Sequence, residues 1–148
     1  MSNLKGCFLH NSDEWQTLID IYNWFVNECG YFDPCPINHT EDGLLIDWKK
    51  NVFCNPPYSQ IDKWVDKAIT EHLHQYDSHI VLLLPARTDT KWFRKLSCHC
   101  CHIQFITGRL HFNGSKGSAP FPSMLVSLYY GTGDGSPNFW CIDRNFYK

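Results

Sequence analysis

The sequence predicts a single α/β domain in which helices cover a largely parallel sheet. The predicted order of elements is helix, strand, strand, helix, strand, helix, strand, strand, the pattern of a layered α/β fold. The segment His79 to Leu84 is almost entirely apolar, as expected for a parallel strand covered on both faces. The 148 residues are enough for one domain of ordinary size, and no repeat or linker divides them. We therefore expect residues 1–148 to form one domain.

The first half of the chain has the signals of a helix and two short strands. A polar cap precedes an apolar face at helical spacing, and Gly30 ends the helix. Pro34 and Pro36 end the first strand because proline has no N–H to donate. The predicted elements are a helix from Ser12 or Asp13 to about Asn27, a strand at Tyr31-Phe32 and a strand from Asn51 to Cys54.

The second half has stronger signals of the same kinds. Apolar residues recur at helical spacing after Ser59, which caps the helix, and Pro85 ends the apolar strand. A glycine, Gly108, interrupts the following β-rich segment. The predicted elements are a helix from Ser59 to about Gln75, a strand from His79 to Leu84, a short helix from Asp89 or Thr90 to Leu96, and strands from Ile103 to Phe112 and from Ser123 to Tyr130.

The composition excludes several classes of protein. Hydrophobic residues make up 43% of the chain and charged residues 19%, which favours a packed core over disorder. The formal net charge of −2 is not that of a dedicated nucleic-acid binder, so any nucleic-acid contact needs a local basic patch. No apolar run reaches the ~18 residues that span a bilayer, and no signal peptide is recognisable. We therefore expect a cytoplasmic protein with free thiols and no membrane contact.

Three predicted strand ends carry unusual chemistry. They are Asp33-Pro34-Cys35-Pro36, Asn55-Pro56-Pro57-Tyr58 and Pro85-Ala86-Arg87-Thr88. In open α/β sheets the ligand crevice lies outside the carboxyl ends of the strands. A parallel sheet would bring all three segments to one edge, where they would form a site.

The turn Asn55-Pro56-Pro57-Tyr58 has the chemistry of a pocket for an aminated heterocycle. Two successive prolines fix φ and donate no hydrogen bonds, so they hold the neighbouring acceptors rigidly. The Asn55 amide oxygen and the Pro56 carbonyl can accept both hydrogens of one exocyclic amine, and the Tyr58 ring offers a stacking face. These two hydrogen bonds would favour sp³ character at the nitrogen and free its lone pair for attack on a methyl group. Taken alone, the tetrapeptide is more often a plain turn.

Segments beyond this turn carry a resemblance to a known family. Asn55-Pro56-Pro57-Tyr58 matches the catalytic motif of amino-methyltransferases. Further matches are Asp13-Glu14-Trp15-Gln16-Thr17, Phe32-Asp33-Pro34-Cys35, Asp42-Gly43-Leu44, Trp48, Val52 to Ala68, Leu83 to Phe93 and Gly108-Arg109-Leu110. Together they resemble the phage-type DNA N-6-adenine-methyltransferase (phage Dam) family from about Asp13 to Tyr130. The resemblance implies a compact Rossmann-like fold and the use of S-adenosylmethionine to methylate the N6 amine of adenine in DNA.

The same resemblance implies roles for individual residues. Asn55, Pro56, Pro57 and Tyr58 would bind and activate the adenine. S-adenosylmethionine would contact Trp15, Thr17, Asp33, Pro34, Cys35, Asp42 and Asn55. In this scheme Asp33 faces the ammonium group of the cofactor, and Asp42 faces its adenine or ribose.

The chain also departs from the family pattern. Thr17-Leu18 stands where members often have Thr-Pro. Only about twenty residues separate Asp33 from Asn55, too few for a crossover helix with further strands, so the cofactor cradle must be abbreviated. No segment is long enough for a separate target-recognition domain. Sequence specificity is then low, short, or supplied by a second subunit, either a homodimer mate or a partner chain.

Basic and aromatic residues near the predicted site are candidates for DNA contact. Arg87, Lys91 and Arg109 would bind phosphates, and Trp92 would stack near a flipped nucleotide. For Arg109 the alternative is a pair with an internal acid, and for Trp92 it is a place in the core. Cys98-His99-Cys100-Cys101-His102 contains zinc-ligand types, but five contiguous residues point in several directions, so no metal site is expected.

The predicted function is a DNA (adenine-N6)-methyltransferase. Two alternatives stay open. One is the same chemistry on cytosine, RNA or a free nucleotide, although the first motif residue is Asn rather than the Ser commoner in cytosine enzymes. The other is a non-catalytic subunit that binds the cofactor or DNA.

Overall fold

A five-stranded mixed sheet forms the centre of the computed structural model, which describes residues 16–36, 40–100, 102–110, 118–131 and 136–147. The strands are Asn51–Cys54 (β1), His79–Pro85 (β2), His102–Thr107 (β3), Ser123–Leu128 (β4) and Asn138–Asp143 (β5). Their order across the sheet is β1-β2-β4-β3-β5. The predicted α/β class is confirmed. The fifth strand, β5, had not been predicted.

The sheet is only partly parallel. β1 pairs with β2 in parallel, as predicted, but β4 is antiparallel to both β2 and β3. The expectation of a parallel sheet is therefore wrong for β4. Consecutive neighbouring strands without a crossover helix pair in antiparallel fashion, and this applies to β3 and β4. Because β5 is parallel to β3, the strands β1, β2, β3 and β5 all run in the same direction.

The predicted strand at Tyr31-Phe32 is reduced to a single parallel bridge between Phe32 and Val52. The Phe32 N–H donates to the Asn51 carbonyl at 2.9 Å, and the Phe53 N–H donates to the Phe32 carbonyl at 3.0 Å. The bridge is not extended because Pro34 follows, and proline cannot continue the ladder as a donor. Phe32 therefore adds a single bridged residue to the sheet, next to β1.

The helices largely follow the sequence prediction. They are Gln16–Tyr22 (α1), Ile61–His74 (α2) and Lys91–Ser97 (α3). α1 continues as a π-helical segment, Asn23–Glu28, and Gly30 ends it with φ of 71°. The predicted start at Ser12 or Asp13 lies outside the described residues. None of the described helices is both long and apolar enough to cross a membrane.

The predicted start of the third helix at Thr90 is confirmed, whereas the predicted cap at Ser59 is wrong. Thr90 caps α3, because its hydroxyl accepts a hydrogen bond from the Phe93 N–H at 3.2 Å. Ser59 does not cap α2; it lies within a 3₁₀ turn, Tyr58–Gln60, that leads into the helix. Strand β3 also ends earlier than predicted, since Gly108 adopts φ of 79° and turns the chain.

Both faces of the sheet are buried at β2, which explains the uninterrupted apolar sequence of this strand. Ile80, Leu82 and Leu84 pack on the face covered by α2 and α3. Val81 and Leu83 pack on the other face with residues of α1 and its π-helical extension. The prediction that this strand is covered on both sides is confirmed.

Candidate active site

The three chemically unusual segments lie at one edge of the sheet, which we call the carboxyl edge. Phe32, β1 and β2 are neighbours and run in parallel, so the residues after them emerge on the same side. These residues are Asp33, Asn55 and Ala86. β3 and β5 end at the carboxyl edge too, because they run in the same direction. The predicted juxtaposition of the three strand ends is therefore confirmed.

The turn after β1 is stiff and partly buried. Pro56 is buried, while Asn55, Pro57 and Tyr58 are partly exposed. Pro57 is extended, with φ of −63° and ψ of 123°, and its carbonyl accepts the Gln60 N–H at 3.0 Å. The Asn55 Nδ2 atom is buried and has no hydrogen-bond partner among the described residues. A buried donor left unpaired costs about 1–3 kcal/mol, so this site is suited to a ligand that supplies a hydrogen-bond acceptor, such as a carboxylate or a ring nitrogen.

A second aromatic residue packs against the turn. The ring of Phe121 meets the Tyr58 ring edge-on, with centroids 5.4 Å apart and an interplanar angle of 66°. The Arg87 guanidinium carbon lies 5.4 Å from the centroid of the same Phe121 ring. Pro122 holds this loop to the sheet, because its carbonyl accepts the Ala86 N–H at 2.8 Å. Tyr58 and Arg87 are thus linked through Phe121.

Asp33 is oriented by its own loop and by α1. Its Oδ1 atom accepts the Cys35 N–H at 2.8 Å. The Tyr22 hydroxyl is hydrogen-bonded to the same carboxylate, and burial together with this carboxylate raises the pKa of Tyr22. Burial raises the pKa of the Cys54 thiol well above its usual value, and Cys35 and Asp33 add to the effect. Asp33 and Cys35 therefore lie close to the end of β1.

A cavity of about 210 Å³ opens beside Asp33. Its lining residues are Phe32, Asp33, Pro34, Pro36, Thr40, Glu41 and Ile46. The lining combines two carboxylates with apolar walls, which suits a cationic group attached to a partly apolar chain. Asn55 and Tyr58 do not line this cavity, so the predicted cofactor and base residues occupy adjoining but distinct parts of the carboxyl edge.

One wall of this cavity depends on a close backbone approach at Gly43. A Cβ atom at Gly43 would lie 2.0 Å from the Pro34 carbonyl oxygen and 2.8 Å from the Trp64 ring. The Gly43 carbonyl accepts the Trp48 indole N–H at 2.7 Å. The loop therefore folds directly over Pro34, and only glycine allows that approach.

The remaining predicted cofactor residues are Trp15, Thr17 and Asp42, and none of them is shown to line the cavity. Trp15 lies outside the described residues, and of Thr17 only the backbone, in the first turn of α1, is described. Asp42 is exposed and caps a turn, since its carboxylate accepts the Leu44 N–H at 3.0 Å. Its neighbour Glu41 lines the cavity instead. Among the described residues 34–36 and 40–50 there is no helix or strand, in agreement with an abbreviated cradle.

Basic side chains follow several strands at the carboxyl edge. Arg87 follows β2, Arg109 follows β3 and Arg144 follows β5, all three exposed. Lys91, at the start of α3, is exposed as well. None of these four forms a salt bridge within the described part of the chain. They therefore form a row of exposed positive charge across the carboxyl edge, in which Arg87 lies near the turn and Arg144 follows the strand at the far side of the sheet.

Trp92 and the cysteine–histidine segment occupy structural positions. Trp92 is partly buried and packs against the core, which favours the core alternative over base stacking. Cys98 is exposed, Cys100 is buried in the core, and His102 begins β3. No group of three metal-ligating side chains comes together in the described residues.

Sequence reasoning missed Tyr22, Glu41 and Phe121. Tyr22 lies within the predicted first helix without a predicted role, and its contact with Asp33 is tertiary. Nothing local distinguishes Glu41 from Asp42. Phe121 had a usable signal, because an aromatic residue between Pro120 and Pro122 directly before a strand is held rigidly at a strand end.

The arrangement can hold a flat ring that carries an exocyclic amine next to a pocket for a cationic group, and the mixed α/β sheet is compatible with a methyltransferase fold. A sequence profile of the DNA N-6-adenine-methyltransferase (Dam) family matches residues 9–124. Because this match spans most of the chain, the chain belongs to that family.

A curated relative points the same way. The protein named DNA N-6-adenine-methyltransferase from Escherichia phage T1 is 40% identical over 73 residues. These residues make up 47% of this chain and 30% of the phage T1 protein, so the match spans less than a third of that relative.

Proposed function

We propose that this chain is a DNA (adenine-N6)-methyltransferase with a Rossmann-like fold that acts in the cytoplasm. The observation that carries the proposal is the position of the Asn55–Tyr58 turn at the carboxyl edge, next to the strand end that carries Asp33. Parallel neighbouring strands, helices on both sheet faces and a site outside the strand ends support the Rossmann-like assignment. Family membership supports the reaction.

In this proposal the turn binds and orients the target amine. The Asn55 side-chain oxygen and the Pro56 carbonyl accept its two hydrogens, and the Tyr58 ring stacks on the base. Phe121 packs edge-on against the Tyr58 ring, and Arg87 lies against Phe121. These contacts limit the rotation of the Tyr58 side chain. Catalysis then depends on the positioning of the amine and on the match of acceptors to the charge that develops on nitrogen.

The cavity beside Asp33 is the proposed site of the methionine portion of S-adenosylmethionine, since its volume of about 210 Å³ is too small for the whole cofactor. When bound, this cofactor supplies an electrophilic methyl group on a sulfonium. Asp33 would face its ammonium group, as the resemblance implies, while Tyr22 and the Cys35 N–H hold the carboxylate in place. The geometry favours Glu41 over Asp42 for a polar contact, because Glu41 lines the cavity and Asp42 caps a turn. Burial of the Cys54 thiol keeps it protonated, so it does not compete as a nucleophile.

DNA would lie along the row of basic residues at the carboxyl edge. Arg87, Arg109, Arg144 and Lys91 are exposed and carry no acidic partner among the described residues, so they are suited to phosphate contacts. The adenine must leave the duplex to reach the turn, which costs a few kcal/mol of stacking and pairing energy. Stacking on Tyr58 offsets part of that cost.

The test is methyl transfer from tritiated S-adenosylmethionine to duplex DNA that lacks N6-methyladenine. Digestion of the product to nucleosides should place the label in N6-methyladenine. Asn55→Ala and Tyr58→Ala should each lower the rate of labelling about 10²-fold or more, while circular dichroism shows that both variants stay folded. Asn51→Ala is the matched control, because Asn51 is an exposed asparagine at the other end of the same strand.

Each alternative gives a different result. Label in N4-methylcytosine would identify a cytosine enzyme. Robust labelling by both Asn55→Ala and Tyr58→Ala would defeat the proposed role of the turn. The abbreviated cradle gives the non-catalytic alternative its support, and a folded wild-type chain that binds no S-adenosylmethionine in calorimetry would favour that alternative.

A further inference from the structure

A second and larger cavity lies at the opposite side of the molecule. Its volume is about 700 Å³, within the range of small-molecule sites. It is lined by His79 and His102, the first residues of β2 and β3, and by Tyr129 just after β4. Because β4 runs opposite to the other strands, all three residues lie at the amino edge of the sheet, away from Asn55 and Asp33.

The cavity exists because one sheet face is incompletely covered. α1 and its π-helical extension cover the β1–β2 side of that face, where Phe25 stacks on Phe53 with centroids 5.0 Å apart. The side chains of Gln104, Ser127 and Trp140 lie on the same face beyond this cover and line the cavity. A single short helical segment is too small to bury the whole face.

Aromatic rings form most of the walls. Trp24, Tyr76, Tyr130, Trp140 and Phe146 all line the cavity, and each is an exposed large hydrophobic residue. Some already stack on one another: the Tyr76 and Tyr130 rings are 4.7 Å apart at an interplanar angle of 19°. Exposed apolar residues concentrated around one concave surface indicate a binding site.

The floor is polar but almost without net charge. Tyr31 Oη lies 2.7 Å from His79 Nδ1 in a hydrogen bond, and Tyr129 is hydrogen-bonded to His102. His79 Nε2 is buried and has no partner among the described residues. Burial lowers the pKa of both histidines, so they are uncharged at neutral pH. Asp77 is the one carboxylate among the described lining residues, and Lys50 forms a salt bridge with it.

We propose that this cavity binds an uncharged, flat heteroaromatic ring of nucleobase size. Stacked aromatic walls select a planar ring, and the unpaired His79 Nε2 atom selects a ring with a hydrogen-bonding edge. No arginine or lysine is among the described residues that line the cavity, which disfavours a phosphorylated ligand. The site is distinct from that of the proposed methyl transfer, since neither Asp33, Asn55 nor Tyr58 lines it, and the two cavities share no lining residue.

The experiment uses adenosine as the probe and the tryptophan indole N–H signals of the full chain as reporters in NMR. Trp24 and Trp140 line the cavity, whereas Trp48 and Trp64 are buried against the other sheet face. We expect adenosine to shift the Trp24 and Trp140 signals with a Kd near or below about 1 mM. The shifts should persist in Asn55→Ala, which separates this site from the active site, and should not depend on salt.

Two variants test the walls. Trp140→Ala should weaken binding at least about fivefold, the lower end for loss of one base-stacking ring. Phe139→Ala is the matched control, since Phe139 is the preceding residue on β5, is exposed, and does not line the cavity. If Trp140→Ala proves unstable, Trp24→Ala should give the same loss, because Trp24 lies outside the sheet.

Each outcome of this experiment either supports or overturns the proposed binding of a heteroaromatic ring. Shifts that are lost in Trp140→Ala or Trp24→Ala and retained in Phe139→Ala support the proposal. No shift of either reporter up to about 10 mM adenosine, or equal binding by all variants, overturns it. Concentration-dependent dimerisation that Trp140→Ala abolishes would also overturn it, because a second copy of the chain would then occupy the surface.

Discussion

Replacement of Gly43 by alanine is the sharpest test of how the cofactor cavity is built. The added Cβ atom would lie 2.0 Å from the Pro34 carbonyl oxygen and 2.8 Å from the Trp64 ring. Neither neighbour yields easily, because one is backbone and the other is a buried ring. Overpacking of this kind costs about 1–3 kcal/mol, and we expect the upper end. For a chain of this size, about 3 kcal/mol lowers Tm by roughly 6–12 °C.

Gly30→Ala is the matched control for Gly43→Ala. Gly30 has φ of 71° and open space around its Cβ position, so alanine there meets only the left-handed backbone penalty of about 1–2 kcal/mol. Differential scanning calorimetry gives Tm, and titration gives affinity for S-adenosylmethionine. Gly43→Ala should lose both stability and affinity, whereas Gly30→Ala should lose only stability. A Gly43→Ala protein with the Tm and affinity of the wild type would refute the close approach of the two loops.

Three further predictions concern acid stability, DNA contact and the support of Tyr58. Burial lowers the pKa of His79 below its unfolded value, so its contribution to stability is present above about pH 6.5 and is lost as pH falls. The free energy of unfolding measured in urea should be lower at pH 5 than at pH 7, by less than about 1.4 kcal/mol per pH unit. His79→Gln should make this free energy depend less on pH. Arg87→Ala should weaken DNA binding and lower the salt slope by about 1, while Lys50→Ala, at the amino edge, should not; equal slopes in a fluorescence titration would contradict this. Phe121→Leu should lower the rate of methyl transfer several-fold without a change in affinity for S-adenosylmethionine, and an unchanged rate would show that Tyr58 needs no support.

The residues that lie at the carboxyl edge were predictable, because local features of the sequence mark where the strands end. Prolines after Phe32 and after Cys54 mark where those strands stop, and the apolar run of β2 identifies it as a central strand. Given parallel pairing, these facts bring Asp33 and Asn55 together without any long-range information. The resemblance then supplied their roles, which stay predictions.

Other parts of the fold were not accessible from local pattern. The insertion of β4 between β2 and β3 is a choice of pairing partner made across the whole sheet. β5, in contrast, had a local signal that sequence reasoning missed, because Phe139-Trp140-Cys141-Ile142 is an apolar run even though most of these side chains are exposed at the edge of the sheet. The contacts of Tyr22 with Asp33 and of Phe121 with Tyr58 depend on tertiary packing. Glu41 lines the cavity where Asp42 was predicted, and this follows from the path of one turn.

The central claim, that the Asn55 amide takes part in activation of the amine, is tested most directly by single-turnover methylation. The rate is measured with wild type and Asn55→Ala, each saturated with S-adenosylmethionine and duplex DNA. Loss of one preorganised electrostatic contact typically lowers the rate about 10²–10³-fold, and we predict a loss of that size with both affinities nearly unchanged. A rate for Asn55→Ala within a few-fold of the wild type would contradict the account.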